Sequence, residues 1–388
     1  MSDNVVKLFP QDEKKQRADR LRWLLLFAVL LLLIVLVLWF LLSRSTKLDG
    51  IKRFFRYLGR DDDFGRFSYD AYGQCSYTLI DNSFALATPN GLTLYDAAGE
   101  KTARLSFQLT APALKANGDL LLLYDVGGTA LYVYEDDGTA CYALTLPAAI
   151  YDADLTEDGE CSVLYTGSDC RAVLEVYGKD GKLRYRRKSK QQYLSSCALS
   201  PDAGAVALIA LGQQETAFQS EVCIYPIDGS DADAALLLGD ELPSALHYSD
   251  EEHLCAVGEN SLFFLTQEGE LLHSYRPEND ALLFCRFGSD GYVSALYDTF
   301  SGQNRYRLLL FTPDGEAVAA TSLQEPPLDV STAGHYTAVL TENKLFIYDR
   351  SLGLCSSTDN AGYSHTLART DGTALLFGDG AAVLFIPK

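Results

Sequence analysis

The chain is 388 residues long and carries 32 Lys and Arg against 52 Asp and Glu, a formal net charge of −20. The imbalance is local: residues 61–388 hold 20 basic and 47 acidic side chains, a net of −27, whereas the first 60 residues are net basic. A field of that sign repels phosphate backbones and anionic headgroups, which argues against nucleic-acid binding by the long downstream part.

The first predicted element is Trp23–Leu42, which follows a short polar tail of residues 1–22. No residue between Arg22 and Arg44 is charged, and Leu, Val, Ile, Phe and Ala dominate. Twenty helical residues at about 1.5 Å each cover about 30 Å, the thickness of a hydrocarbon core. Backbone groups in lipid must pair within their own segment, so a transmembrane helix is expected. Trp23 and Trp39 lie towards the two ends, where indoles favour the interface. A cleaved signal peptide has a shorter apolar core and a small-x-small site, whereas Ser43-Arg44-Ser45 puts a cation inside the candidate site. The basic residues before the span (Lys14, Lys15, Arg17, Arg20, Arg22) and after it (Arg44, Lys47, Lys52, Arg53, Arg56) balance. The short tail and the long downstream domain favour a signal anchor in the plasma membrane, tail in the cytoplasm and the rest outside.

Residues 43–65 form a basic stalk. Within it Ile51, Phe54, Phe55 and Leu58 recur at i, i+3, i+4 and i+7 with Lys52, Arg53 and Arg56 between them, predicting a short amphipathic helix. Such a helix rests either on lipid or on the adjoining domain.

From residue 66 to 388 the chain repeats. Leu92–Tyr95, Leu131–Tyr134, Leu174–Tyr177, Val222–Tyr225, Leu262–Leu265, Leu308–Phe311, Leu345–Tyr348 and Val383–Ile386 are apolar strands. All but the last lead into a polar turn with a glycine: Gly99, Gly138, Gly181, Gly229, Gly269, Gly315 and Gly353. Their starts lie 39, 43, 48, 40, 46, 37 and 38 residues apart, a period that fits a four-stranded propeller blade. Another apolar run precedes each marked strand, and before it come Asn117-Gly118, Asp158-Gly159, Asp290-Gly291 and Asp371-Gly372, which suit two-residue hairpins. Pro112, Pro147, Pro243, Pro277 and Pro326-Pro327 mark a third phase, the crossover from one blade to the next, because proline is excluded from central strands. The last repeat has room for three strands only, and Phe67–Asp70 is the natural fourth. The expected fold is all-β: an eight-bladed β-propeller preceded by one transmembrane helix. Seven blades follow if the stretch around 211–243 is an insertion.

Leu199-Ser200-Pro201-Asp202 resembles the Ser-Pro-Asp-Gly turn of tryptophan-aspartate-repeat propellers, and Tyr348-Asp349 resembles the end of their inner hairpin. On these residues the region 66–388 is similar to the β-propeller superfamily, quinoprotein-like and tryptophan-aspartate-repeat members especially. The chain departs from both: its two tryptophans lie in the anchor, so the repeats hold neither a Trp-Asp pair nor a tryptophan docking motif. Anchor plus propeller resembles the layout of membrane-anchored propeller proteins of Gram-positive bacteria, which implies no particular activity.

Convergent chemistry is sparse in the sequence. His247, His253, His273, His335 and His365 match no zinc-site spacing and are expected as strand or turn residues. Gly362-Tyr-Ser364-His365 lacks the second glycine of a nucleophile elbow, Thr366 standing in its place. Gly127-Gly128 lacks the rest of a phosphate loop, and Asp228, Asp231 and Asp233 offer too few ordered oxygens for calcium. No cofactor or metal is expected. Nine cysteines, an odd number without C-x-x-C spacing, read as small buried hydrophobes.

Two features invite a partner. Lys182, Arg184, Arg186, Arg187, Lys188 and Lys190 lie on a predicted outer strand, either as a charged edge that blocks sheet pairing or as a docking patch for an acidic partner or wall polymer. Propeller ligands favour the face that carries the second-to-third-strand loops and the crossovers. Its longer loops, Gly212–Ser220 and Asp298–Arg305, offer Gln213, Gln214, Phe218, Asp298, Phe300, Asn304 and Arg305 for binding. The sequence therefore favours a non-enzymatic, membrane-tethered binding or scaffold module at the bacterial surface, with a protein or cell-envelope polymer as partner. The alternative is a lyase- or dehydrogenase-like propeller, which requires catalytic groups converging in the central channel.

Overall fold

The repeating order of apolar strand, glycine turn and proline crossover folds as eight four-stranded antiparallel sheets. The computed structural model describes residues 29–30, 49–60, 64–71, 73–80, 83–214, 217–229, 234–239 and 241–387. The expected span Trp23–Leu42 lies outside them except for Val29 and Leu30, which are helical. Among the described residues no helix is long and apolar enough to cross a membrane.

The chain divides into two units, Met1–Leu58 and Gly59–Lys388. In the first, helix α1 spans Asp49–Tyr57 and leaves Phe54 and Phe55 exposed. In the second, blades 1 to 7 occupy residues 76–106, 112–145, 150–189, 193–239, 245–275, 281–323 and 327–359. Blade 8 combines His365–Ala368, Ala374–Gly378 and Ala381–Phe385 with Phe67–Ser68 as its outer strand. Eight blades are present, and residues 205–226 are the long central hairpin of blade 4 rather than an insertion.

Closure joins the two ends of the domain in one sheet. Phe67 pairs with Ala382 and Ser68 with Ala381, while Tyr69 N–H donates to Gly380 O (2.8 Å) and Leu384 N–H to Gly65 O (3.0 Å). The Phe67 ring stacks on Tyr95 of blade 1 at 4.9 Å, so the closing segment also ties blade 8 to blade 1.

The glycine turns have a specific cause. Thr156 N–H donates to Glu160 O and Gly159 N–H to Thr156 O, and Gly159 adopts φ +89°. This is a type I turn followed by a left-handed residue, not the two-residue hairpin expected for Asp158-Gly159. Asp290-Gly291 and Asp371-Gly372 close in the same way, and of the four dipeptides only Asn117-Gly118 borders a two-residue connection. In blade 7 the left-handed position belongs to Leu352 (φ +55°) rather than to Gly353.

Strands 2 and 3 of each blade are apolar on both faces because each blade is covered by its neighbours. Leu122, Leu131 and Val133 of blade 2 pack with Ala153, Cys161 and Val163 of blade 3, and comparable clusters fill the other junctions from blade 1 to blade 8. Outer strands alternate exposed and half-buried residues, as a one-sided sheet edge requires. Cys161, Cys197, Cys223 and Cys255 are buried thiols within this core, and Cys141 and Cys355 are exposed.

Candidate functional site

Strands alternate in direction within a blade, so second-to-third-strand connections and blade crossovers open on one face and the glycine turns on the other. Much of the expected loop Gly212–Ser220 is strand: residues 212–214 and 217–220 continue the ladder, Gly212 opposite Gln219, Gln213 opposite Phe218 and Gln214 opposite Ala217. Gln213 and Phe218 are exposed on it, two blades away from the second predicted loop.

That second loop, in blade 6, is tightly held. Asp298 ends strand 2 and is buried, and Arg305 forks onto its carboxylate with Nε at 2.8 and 3.0 Å and Nη2 at 2.6 Å. Arg305 hydrogen bonding keeps the Asp298 carboxyl below its ordinary pKa. Asp298 also accepts the Phe300 N–H (2.9 Å), and Thr299 donates both its N–H (2.8 Å) and its Oγ1 hydroxyl (2.9 Å) to Arg305 O. Asp298 and Arg305 thus shape the loop through their mutual ion pair, and the Arg305 side chain stays half-exposed. Phe300 is the group on display: it is 64% exposed and sits at φ +53°, a conformation that crowds Cβ in any residue but glycine.

Beside the loop lies an open cleft of about 530 Å³. It is lined by Thr299, Ser301, Asn304 and Arg307 of blade 6, by Tyr275 at the end of blade 5, and by Pro277, Glu278, Asn279 and Asp280 of the crossover between them. Arg307 Nη2 donates to Tyr275 Oη (2.7 Å) and to the Asp280 carboxylate, which ties blade 6 to blade 5 and to the crossover. Burial raises the pKa of Tyr275; the nearby Arg307 cation opposes that rise. Of the predicted residues Asn304 alone lines the cleft. The crossover residues were marked in the sequence only by Pro277, although Glu278-Asn279-Asp280 just after it is a dense run of polar groups.

A second polar constellation, unmarked in the sequence, runs along the inner strands that line the propeller axis. Asp152 in the first strand of blade 3 accepts from Lys115 Nζ (3.1 Å) and Tyr124 Oη (3.3 Å) of blade 2. Its other oxygen accepts from Ser196 Oγ (2.8 Å) and Cys197 N–H (2.9 Å) of blade 4. Asp154 accepts the Leu199 N–H (3.0 Å). Burial of Asp154 raises its carboxyl pKa. Burial alone would lower the Lys115 pKa, but the attraction of Asp152 and Asp154 raises it on balance and keeps the ammonium charged. Asp329 repeats the motif in blade 7, accepting from Arg286 Nη2 (3.3 Å) of blade 6 and Thr366 N–H (3.0 Å) of blade 8. His365 stands 3.7 Å from the same carboxylate. Each carboxylate binds backbone amides of the following blade, and this geometry fastens blades to one another.

These strands and sites have relatives. The model of a family of unknown function (DUF5711) matches residues 67–353, from the closing strand into blade 7. The chain belongs to that DUF5711 family. No curated protein matches it. Among solved structures the fold is similar to the C-terminal WD40 domain of Sif2, with a TM-score of 0.61 and 13% identity over 84% of this chain and 98% of that one. It is also similar to the Dos1 propeller, with a TM-score of 0.54 and 10% identity over 83% and 94%. At these identities the likeness is one of fold.

In this DUF5711 propeller Arg184, Arg186, Arg187 and Lys188 of the basic run lie on Leu183–Ser189, the outer strand of blade 3, and Lys182 and Lys190 flank it. Acidic neighbours meet most of its cations: Arg184 pairs with Glu160, Arg186 with Glu175, Lys182 with Asp180 (2.5 Å) and Lys188 with Asp169 (3.1 Å). Arg187 lies over the Tyr225 ring of blade 4 at 3.7 Å. Glu175 is 1% exposed and also accepts the Tyr177 hydroxyl, so Arg186 balances a buried charge. Most of the strand's charge is spent within the protein, which favours the reading as a protected edge over a docking patch.

Proposed function

We propose that this chain is a single-pass membrane protein whose propeller is a non-enzymatic binding module at the bacterial cell surface, with the tail of residues 1–22 in the cytoplasm. The observation that carries the binding part is the cleft at blades 5 and 6. It opens on the loop face, beside a loop held in advance by the Asp298–Arg305 fork and the Thr299 bonds, on which Phe300 is exposed. Propellers of the WD40 kind commonly serve as protein-binding scaffolds, an analogy of fold that supports the reading without carrying it. The inner-strand carboxylates favour it over an enzyme, because their lone pairs are occupied by backbone amides and cations of the fold. The tether rests on the apolar, uncharged stretch Trp23–Leu42.

Topology is tested on intact cells with a membrane-impermeant maleimide. Cys141 and Cys355, both exposed, react if the propeller faces outward. Labelling only after the cells are opened overturns the orientation. Release of the chain from membranes by alkaline carbonate overturns the anchor. A photo-crosslinking residue at position 300 tests the binding face: it captures a macromolecule in cells, whereas the same residue at position 183 on the outer edge does not. Equal capture at both positions, or none at either, overturns the assignment.

A further inference from the structure

We propose that the cleft between blades 5 and 6 is a subsite for a neutral polyhydroxylated ligand, a saccharide unit of a glycan. The inference rests on the reading that this face binds and names the chemistry it takes. Charge narrows the choice first. Among the described residues the one cation in the wall, Arg307, pairs with Asp280, and Glu278 adds a carboxylate, so an anionic group meets repulsion. Shape and polarity narrow it further. A protein hot spot needs a desolvated apolar anchor pocket, whereas apart from Tyr275 and Pro277 every lining side chain is polar.

What remains suits hydroxyl groups, which donate and accept at the same atom. Among the described residues the Asn279 and Asn304 amides have no partner within the protein, and each offers a carbonyl acceptor and two N–H donors from one plane. They line the cleft from two different connections, the crossover and the blade 6 loop. The volume of about 530 Å³ lies in the range of small-ligand clefts. Phe300, next in sequence to the lining residues Thr299 and Ser301, has an exposed ring, and an aromatic face attracts the polarised C–H edge of a sugar ring. Its left-handed backbone is strained, and the Asp298–Arg305 fork and the Thr299 bonds maintain it.

The test is saturation-transfer NMR and calorimetric titration of the full chain, solubilised in a detergent without a sugar headgroup. The probes are N-acetylchitotetraose and cellotetraose as neutral ligands and tetragalacturonate as an anionic one. Binding of at least one neutral probe is expected and none of the anionic probe. The double variant Asn279→Ala/Asn304→Ala weakens binding at least tenfold and Phe300→Ala severalfold. All three positions are solvent-exposed, so urea midpoints stay unchanged and confirm folding. Absence of neutral-probe binding, or binding that the double variant leaves intact, overturns the saccharide assignment. If position 300 then still captures a protein in cells, the binding face stands and only its ligand class falls. If it captures nothing, both readings fall together.

Discussion

His247 gives the sharpest test of how the propeller axis is built. It lies in the first strand of blade 5, half-buried, with its ring stacked on Phe287 of blade 6 at 4.2 Å. Burial, reinforced by the nearby Lys115 cation, lowers its pKa to about 4, against about 6.5 for an exposed imidazole. A histidine depressed in this way stays neutral in the fold while the unfolded chain takes up its proton. Between pH 6.5 and 4 the unfolded state therefore binds more protons, and stability falls as pH falls. At pH 4.5 the loss amounts to about 2 kcal/mol, the proton-binding ratio of the two states reduced slightly for the ring's residual solvent access. His247→Phe keeps an aromatic ring against Phe287 and removes the proton site. Urea unfolding at pH 7.5 and pH 4.5 should show wild type losing about 2 kcal/mol more than the variant, since other titrating groups are common to both chains. Equal losses would refute a neutral, desolvated His247.

Three further substitutions probe the contacts that hold the ring. Asp152→Ala strands the Lys115 ammonium and the Cys197 amide, and should cost about 3 kcal/mol in urea unfolding, with Asp152→Asn costing less because it still accepts hydrogen bonds. A cost below about 1 kcal/mol for the alanine variant would count against the inter-blade role. Phe67→Ala removes the ring stacked on Tyr95 and should cost about 3 kcal/mol, with faster amide exchange in Ala381–Phe385 if closure is what the ring secures. Arg186→Ala leaves the buried Glu175 carboxylate without its cation and should cost about 2 kcal/mol, less than a fully buried pair because Arg186 is itself half-exposed. Adding Glu175→Gln should recover most of that loss, and failure to recover it would mean that Arg186 acts through packing alone.

The sequence announced the blades because blade structure is local. A strand covered on both faces must be apolar throughout, a turn with a left-handed residue selects glycine, and a crossover accepts proline; each signal is read within a few residues. Closure was legible for a different reason, since the last repeat lacked a strand and Phe67–Asp70 supplied a spare one. The chain nevertheless tolerates exceptions that pattern alone does not expose. Leu352 takes a left-handed position that glycine fills in other blades, and residues 212–214 and 217–220 pair as strand despite their polar composition. The candidate site was half legible. The loop 298–305 stands out by its length, but the Asp298–Arg305 ion pair does not, because a pair seven residues apart in a loop follows no sequence period. The crossover that completes the cleft, and the stitches from Asp152 and Asp329, depend on which strands become neighbours across the ring.

Those stitches are unevenly placed, and their distribution bears on where the cleft sits. First-strand side chains join blades 1 and 2 (Leu114 N–H to Ser76 Oγ), 2 and 3 (Lys115 to Asp152), and 3 and 4 (Ser196 to Asp152). They join blades 6 and 7 (Arg286 Nε to Val330 O, 2.8 Å) and 7 and 8 (Ala368 N–H to Ser331 Oγ, 2.9 Å). Among the described residues no such first-strand bond joins blade 5 to either neighbour, and the blade 5–6 junction is packed at the axis by His247 on Phe287. At that junction the polar ties lie further out: Asn260 Oδ1 accepts the Leu282 N–H (3.1 Å), and Arg307 ties the strand to the crossover through Asp280 and Tyr275. The polar groups that elsewhere fasten the axis are here displaced to the loop face, where they form the wall of the cleft. A junction held by apolar contact at the axis and by polar groups at its rim can present those groups to a ligand. Junctions 1–2, 2–3, 3–4, 6–7 and 7–8 instead spend such groups on bonds between first strands.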